Sequence, residues 1–165
     1  MFKLISKTIA AVAIVSVALF GSANAKTLKV ETHFTASSPN GEVAAQFAKN
    51  VEMFSGGSLK IEMFYSSSVT GKSAEVFNSA QTGIIDCDMT GAGYQTGKNA
   101  AFQFAGDVMG GYDNPYQQYD FLKFPGAQDA VDALYNKYGM TLIGWWIPGH
   151  ESLISSKPIP DVPSI

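Results

Sequence analysis

The spacing of apolar side chains between residues 27 and 90 changes repeatedly from one period to another, and this constrains the fold more than any other feature. Residues 27–34 and 58–65 alternate apolar and polar side chains, which is the period of a β-strand. Between them, residues 43–54 place apolar side chains at three- and four-residue steps, as in an amphipathic helix. A second helical segment, 72–82, and a mostly apolar strand, 84–90, follow. This order predicts an α/β fold with a parallel sheet.

The limits of the two predicted helices are marked by residues that favour helix ends. Ser38 and Pro39 suit the cap and the first turn of the first helix, and Gly56 and Gly57 suit its end. Gly83 ends the second helix in the same way. The predicted inner faces consist of Val43, Ala44, Phe47, Ala48, Val51 and Phe54 in the first helix, and of Val76, Phe77 and Ala80 in the second.

The later part of the chain predicts two more helices, over 114–124 and 127–138, separated by Pro125 and Gly126, and then a fourth strand over 140–146. Ligands of parallel α/β sheets gather at the carboxyl ends of the strands. Three segments follow such ends: 33–34, 91–94 and 147–152. They are the predicted location of a binding site.

The first 25 residues have the features of a secretory signal peptide. Lys3 and Lys7 precede an apolar run over 9–20, and Ala23 and Ala25 supply the small side chains of a cleavage site. The run is too short to cross a bilayer, which takes about 20 apolar residues. The mature chain is therefore expected to begin near Lys26 and to function outside the cytoplasm.

Charge and composition argue against several classes of function. The chain has 11 basic and 14 acidic residues, and removal of Lys3 and Lys7 with the signal leaves 9 against 14, a net charge of -5. No basic stretch is present that could neutralise a row of phosphates, so nucleic acid is not an expected partner. All the basic residues are lysines, which leaves no planar arginine fork for a carboxylate. Cys87 is the only cysteine, so no internal disulfide can form.

The chain shows no arrangement typical of a catalytic or metal site. Two histidines and one cysteine lie far apart, which does not match zinc-ligand spacing. Ser152 lacks a nucleophile elbow, and the glycine-rich segments 91–93 and 106–111 do not have phosphate-loop spacing. Asp86 and Asp88 are interpreted as strand-end residues. No enzyme activity, metal or cofactor is therefore predicted.

Four segments, in this order, resemble motifs of the DctP-type solute receptors of TRAP (tripartite ATP-independent periplasmic) transporters. They are LKVETHF at 28–34, FSGGSLKI at 54–61, AQTGIID at 80–86 and WWIPGHESLISSK at 145–157. The resemblance extends over essentially the whole mature chain. Each motif is short, and their order and spacing together make the resemblance specific.

The resemblance implies a two-lobed, periplasmic-binding-protein-like receptor, of which this chain is an N-terminal fragment. Residues 26–138 then form the N-terminal α/β lobe, and residues 139–165 form crossover strands toward the second lobe. Such a receptor captures a small organic acid in the periplasm and delivers it to a TRAP membrane permease. It has no direct membrane insertion after signal cleavage. The family's carboxylate-binding arginine is expected beyond residue 165.

The predicted substrate-binding residues lie at the three strand ends. They are His33, Phe34, Gly91, Ala92, Tyr94, Trp146 and Glu151. A surface position, core packing or a plain turn is the competing interpretation of each. Trp145 and Trp146, on a strand, point to opposite faces, so one of them belongs to the core.

Glu151 lies where some members of the family carry a cleft arginine, and it narrows the expected ligand. A carboxylate there repels a second acidic group and accepts hydrogen bonds from hydroxyl or ammonium groups. The residue therefore argues against a dicarboxylate or sialic acid and favours a hydroxy-, keto- or amino-substituted monocarboxylate. A solvated loop glutamate is the alternative.

Two other functions remain open at the level of sequence. A secreted α/β enzyme would need a clustered nucleophile or acid–base pair. A sensing domain of a signalling receptor would need a transmembrane segment and an output domain further along the chain.

Overall fold

The structure, a computed structural model, describes residues 25–106, 108, 110–147 and 154–160. The predicted signal peptide, apart from Ala25, lies outside the described residues. The secondary structure elements, in chain order, are β1 (Lys26–Thr32), α1 (Pro39–Phe54), β2 (Leu59–Phe64), α2 (Ser73–Gln81), β3 (Cys87–Met89), α3 (Pro115–Lys123) and α4 (Pro125–Asn136). Two short 3-10 helices, Ala92–Gln95 and Ala100–Gln103, lie between β3 and α3.

The three strands form a parallel sheet in the order β2-β1-β3, which confirms the predicted α/β fold. β1 is the central strand, and its carboxyl half pairs with both neighbours. Val30, Glu31 and Thr32 are buried in succession, so both faces of this half are covered. The carboxyl end of β1 therefore lies between the ends of β2 and β3, where the predicted site residues follow.

The limits of α1 agree with the sequence, whereas its buried face is narrower than predicted. The Ser38 hydroxyl accepts a hydrogen bond from the Gly41 N–H at 3.1 Å, and Gly56 ends the helix region with a positive φ of 60°. Ala44 is fully buried, but Val43 is 57% and Phe54 80% exposed. α1 packs on β2, an edge strand, so part of its apolar stripe extends past the sheet.

The predicted fourth strand is wrong, because residues 140–147 form neither helix nor strand. Met140, Leu142 and Trp145 pack by their side chains against the hydrophobic core, while Ile143 is exposed. An apolar segment can bury side chains against a core without a neighbouring strand to pair with, so its sequence resembles that of a buried strand.

Two predicted boundaries are also wrong. β3 contains only three residues of the segment 84–90. Pro125 begins α4 instead of preceding it, because a proline at the first helical position has no N–H that the helix needs. Val131 and Leu134 of α4 are buried.

The centre of the core is a group of interlocking rings, here called the core aromatic cluster: Phe77, Phe102, Tyr135 and Tyr138. The Phe77 and Phe102 rings meet edge to face at 5.7 Å, and the Phe102 and Tyr135 rings at 5.3 Å. Such pairs add about 0.5–1.5 kcal/mol each beyond the burial of their area. The cluster joins α2, the second 3-10 helix and α4, and so holds the helical layer together.

No helix within the described ranges is both long enough and apolar enough to cross a bilayer.

Candidate functional site

Four of the predicted site residues meet at the carboxyl ends of the strands. His33 and Phe34 follow β1, Tyr94 lies in the 3-10 helix after β3, and Trp146 comes from the extended segment 140–147. The His33 ring centroid lies 3.9 Å from Phe34 and 5.3 Å from Tyr94. The Phe34 and Trp146 rings stack at 4.9 Å with an interplanar angle of 13°. These four residues are called the strand-end aromatic cluster.

The turn at 66–71 fixes the position of the β1 end. The Ser66 N–H donates to the Phe34 carbonyl at 2.9 Å, and the Ser67 N–H donates to the Thr32 carbonyl at 3.0 Å. Ser66 and Ser67 have positive φ values of 58° and 50°, a conformation that non-glycine residues adopt at a cost. The two hydrogen bonds help to hold this conformation, and they join the turn to the residues that carry the cluster.

Glu31 also binds this turn, although the sequence placed it on the polar side of β1. It is 0% exposed, and its Oε1 accepts hydrogen bonds from the N–H groups of Val69 at 2.6 Å and Thr70 at 3.3 Å. The carboxyl half of this central strand is covered on both faces, so a charged residue in that half is buried, whereas Lys29 in the other half is exposed. That argument, applied to the sequence, would have found Glu31.

Tyr94 and the residues before it have different surroundings. The Tyr94 N–H donates to the Gly91 carbonyl at 3.2 Å, and the Tyr94 side chain is 47% exposed. Gly91 is itself exposed, and a Cβ there would lie at an ordinary 3.9 Å from the Tyr94 ring. Ala92, by contrast, packs its side chain into the core beside Phe77 and Phe102. Its side chain therefore belongs to the core, and its predicted contact with a ligand stays a prediction.

The adjacent tryptophans have separate surroundings, as the sequence indicated. Trp145 packs against the core, and its Nε1–H donates to Gln128 Oε1 at 3.0 Å. Trp146 stacks on Phe34 in the strand-end aromatic cluster. One indole therefore stabilises the interior, while the other borders the candidate site.

His33 is the polar member of the cluster. Burial lowers the pKa of His33 from its ordinary 6.5, so the imidazole is neutral at pH 7. Its Nδ1 is buried and has no hydrogen-bond partner among the described residues. A neutral imidazole presents one donor and one acceptor, so His33 has a free position for a polar ligand group.

Three further side-chain atoms on or directly after β1 and β3 have no hydrogen-bond partner within the part of the chain that the structure describes. They are Glu31 Oε2, Asp88 Oδ1 and Thr90 Oγ1, all buried. Burial, with the smallest contribution from the charge of Glu31, raises the pKa of Asp88 to about 6, and the neighbouring polar groups of Thr90 oppose this shift. Glu31 and Asp88 are paired residues of β1 and β3. The sequence did not predict this arrangement.

Glu151 lies outside the described residues, so its predicted role stays a prediction. Within the described ranges, no group of three or more histidine, cysteine, aspartate or glutamate residues is arranged to hold a metal ion. Cys87 is a half-buried free thiol, and burial, with added effects of the Asp86 and Asp88 charges, raises its pKa.

Solved structures of TRAP periplasmic solute-binding proteins are similar to this fold. One from Rhodobacter sphaeroides, in an apo open form, is 27% identical, with a TM-score of 0.67 over 72% of this chain and 38% of its own. One from Pseudoalteromonas atlantica, with bound sodium and pyruvate, is 20% identical. Its TM-score is 0.64, and the match covers 70% of this chain and 35% of that protein. An extracytoplasmic solute receptor from Bordetella pertussis that binds pyroglutamic acid is 22% identical. Its TM-score is 0.60, and the match covers 72% of this chain and 38% of that protein.

The chain thus spans between 35% and 38% of the length of each of these three proteins. A comparison with curated protein sequences gives no match. The model of the DctP family, described as bacterial extracellular solute-binding protein, family 7, matches residues 30–163. That match includes all three strands except the first residues of β1, and the chain belongs to this family.

Proposed function

We propose that this protein is an extracytoplasmic solute receptor that captures a small organic acid and delivers it to the membrane permease of a TRAP transporter. The supporting observation is the strand-end aromatic cluster, in which residues 33–34, 94 and 146 meet from three separate segments. The carboxyl edge of a parallel sheet is where such folds bind ligands, and apolar walls with a few polar groups are typical of small-molecule sites. The signal-peptide features support capture in the periplasm.

The cluster favours a ligand with one carboxylate and a neutral polar substituent. The neutral His33 ring can bond a keto or hydroxyl oxygen without adding charge. The buried carboxylates of Glu31 and Asp88 nearby disfavour a second acidic group on the ligand. A hydroxy-, keto- or amino-substituted monocarboxylate fits these conditions. Pyruvate and pyroglutamic acid, which are bound by two of the similar proteins, are small monocarboxylates with such substituents.

The cationic side chain that binds the ligand carboxylate is expected on the side of the cleft that faces the strand-end aromatic cluster. The chain has no arginine. The Lys98 ammonium group donates to Asn78 Oδ1 and lies over the Phe77 ring, so this lysine is positioned beside the core aromatic cluster and not at the strand ends. The part of the site described here therefore supplies the neutral and aromatic contacts of a ligand, and we assign the charged contact to the second lobe.

The ligand class can be tested by thermal unfolding of the intact protein with pyruvate, lactate, pyroglutamate, succinate and glucose. A ligand that binds only the folded state raises the melting temperature by mass action, about 2.7 kcal/mol of stabilisation at 100 times Kd. We expect a rise with at least one of the monocarboxylates and none with glucose. Stabilisation by glucose alone would contradict the organic-acid proposal, and stabilisation by succinate alone would contradict the monocarboxylate assignment.

A further inference from the structure

Glu31 and Asp88 form a buried pair of carboxyl groups in the centre of the sheet. They are register partners on the parallel strands β1 and β3, so their side chains project from the same face. Glu31 is 0% exposed, and Asp88 Oδ1 is buried. Two ionised carboxylates in such a position repel each other and lose hydration, which is costly unless a positive group compensates them.

The described residues supply only part of that compensation. Glu31 Oε1 accepts the N–H groups of Val69 and Thr70, but neither Glu31 Oε2 nor Asp88 Oδ1 has a hydrogen-bond partner in the described ranges. Among the residues that the structure describes, the ion pair found joins Lys60 to Glu52, and neither Glu31 nor Asp88 takes part in one. One oxygen of each carboxyl group therefore still needs a donor.

The other titratable groups around the pair do not supply a charge that could neutralise it. On the same side of β1, Lys29 is exposed, and His33 is neutral because burial lowers its pKa. Asp86, which directly precedes β3, accepts the backbone N–H of Lys29 through its Oδ2 at 2.8 Å. From α4, the Tyr135 phenol keeps its proton, because burial and then the charge of Asp88 raise its pKa to about 12.

We propose that Glu31 and Asp88 hold one proton between them, so that the protonated Asp88 carboxyl donates to Glu31. In this arrangement the pair carries one negative charge, and both free oxygens become members of a single O–H···O hydrogen bond. We place the proton mainly on Asp88, because burial raises the pKa of its carboxyl group, whereas Glu31 Oε1 already accepts two N–H groups.

This proton is coupled to the candidate site through the turn at 66–71. Glu31 Oε1 binds the turn at Val69 and Thr70, and the Ser66 N–H of the same turn binds the Phe34 carbonyl. Loss of the proton places a second negative charge beside the carboxylate that holds the turn. We therefore expect ionisation of Asp88 to weaken the attachment of the turn to the end of β1.

The direction of the pH dependence follows from the raised pKa of Asp88. Its ordinary value of 3.8 applies to the unfolded chain, and the folded value is about 6. The folded protein thus binds this proton more tightly than the unfolded chain does. The contribution of Asp88 to stability falls as the pH rises between these two values and is constant above them. His33, with a lowered pKa, contributes in the opposite direction, so variants must be compared with one another.

The test measures the denaturant midpoint of the intact protein from about pH 3 to about pH 8, a range that includes both Asp88 values. Its variants are Asp88→Asn and, as a control, Asp129→Asn on the exposed side of α4. Relative to the control, we expect Asp88→Asn to remove the loss of stability with rising pH and to raise the midpoint at the upper end. Identical pH profiles for the two variants would overturn the proposal.

A second measurement does not depend on the folding of a variant. In the wild-type protein, carbon NMR of the Asp88 carboxyl group should show a titration midpoint near 6 instead of near 3.8. A midpoint near the ordinary value would overturn the proposal. If the midpoint near 6 is lost when sodium or calcium replaces choline in the buffer, a metal cation is the occupant, and the proton assignment is wrong.

Discussion

The chain contains two clusters of aromatic rings that differ in what their polar atoms bind. In the core aromatic cluster, Phe77 and Phe102 are buried, and the Tyr138 hydroxyl donates to the Lys98 carbonyl at 3.4 Å. In the strand-end aromatic cluster, Tyr94 is partly exposed, and His33 Nδ1 has no partner among the described residues. Ring contacts occur in both clusters, so they do not by themselves identify a binding site. A candidate site is indicated where an exposed ring lies beside a polar atom that has no hydrogen-bond partner.

The largest effect is expected from removing a ring of the core. Phe102→Ala should lower the free energy of unfolding by about 3–5 kcal/mol, because a fully buried side chain is replaced by a cavity. Denaturant unfolding measures this change. Phe104→Ala, two residues away at a side chain that is 70% exposed, is the control and should cost less than about 0.5 kcal/mol. Equal losses in the two variants would show that the core aromatic cluster is not the centre of the fold.

The next effect concerns ligand binding. Trp146→Ala removes the ring that stacks on Phe34, and we expect the Kd for the ligand to rise about tenfold to a hundredfold, or ~1.4–2.8 kcal/mol. Its unfolding free energy should change less than that of Phe102→Ala. Titration calorimetry measures the Kd. Tyr116→Ala, at an exposed ring of α3, is the matched control. An unchanged Kd in Trp146→Ala would remove this residue from the proposed site.

A smaller effect is expected at the neighbouring indole. Trp145→Phe keeps an aromatic ring in the core but leaves Gln128 Oε1 without its donor. The cost should be about 1 kcal/mol of unfolding free energy. The Kd for the ligand should be unchanged, which is the reverse of Trp146→Ala. A Trp145→Phe variant with weakened binding and normal stability would show that the roles of the two indoles are exchanged.

The smallest expected effect is the contribution of His33 to the pH dependence of stability. Because burial lowers the pKa of His33, its contribution to stability is fully present above pH 6.5 and is lost as the pH falls through the lower folded value. His33→Gln should remove that loss on acidification. Thermal unfolding at a series of pH values measures it. An unchanged slope would indicate that the imidazole is solvated.

The sequence predicted the features that depend on local periodicity and on strand ends. The parallel sheet, α1 and the positions of His33, Phe34 and Tyr94 at one edge follow from the order of the elements. Trp146 lies at the same edge, but it comes from a segment that is not a strand. That edge is set by topology alone, because parallel strands present their carboxyl ends together.

The features that the sequence did not reveal depend on contacts between distant segments. Segment 140–147 is as apolar as a buried strand but pairs with no strand among the described residues, and pairing depends on a neighbour from another part of the chain. Ala92 belongs to the core because Phe77 and Phe102, from other elements, surround it. The Glu31–Asp88 pair depends on the register between β1 and β3, which neither strand contains alone.

The separate positions of Trp145 and Trp146 give the protein an internal optical reporter. The chain has only these two tryptophans. Trp145 is fixed to Gln128 in the interior, so its emission serves as a constant reference. Trp146 lies against Phe34 at the sheet edge, where an arriving solute alters the polarity and quenching around the indole. Intrinsic fluorescence can therefore follow occupancy without any attached dye, and the Trp145→Phe variant isolates the responding chromophore.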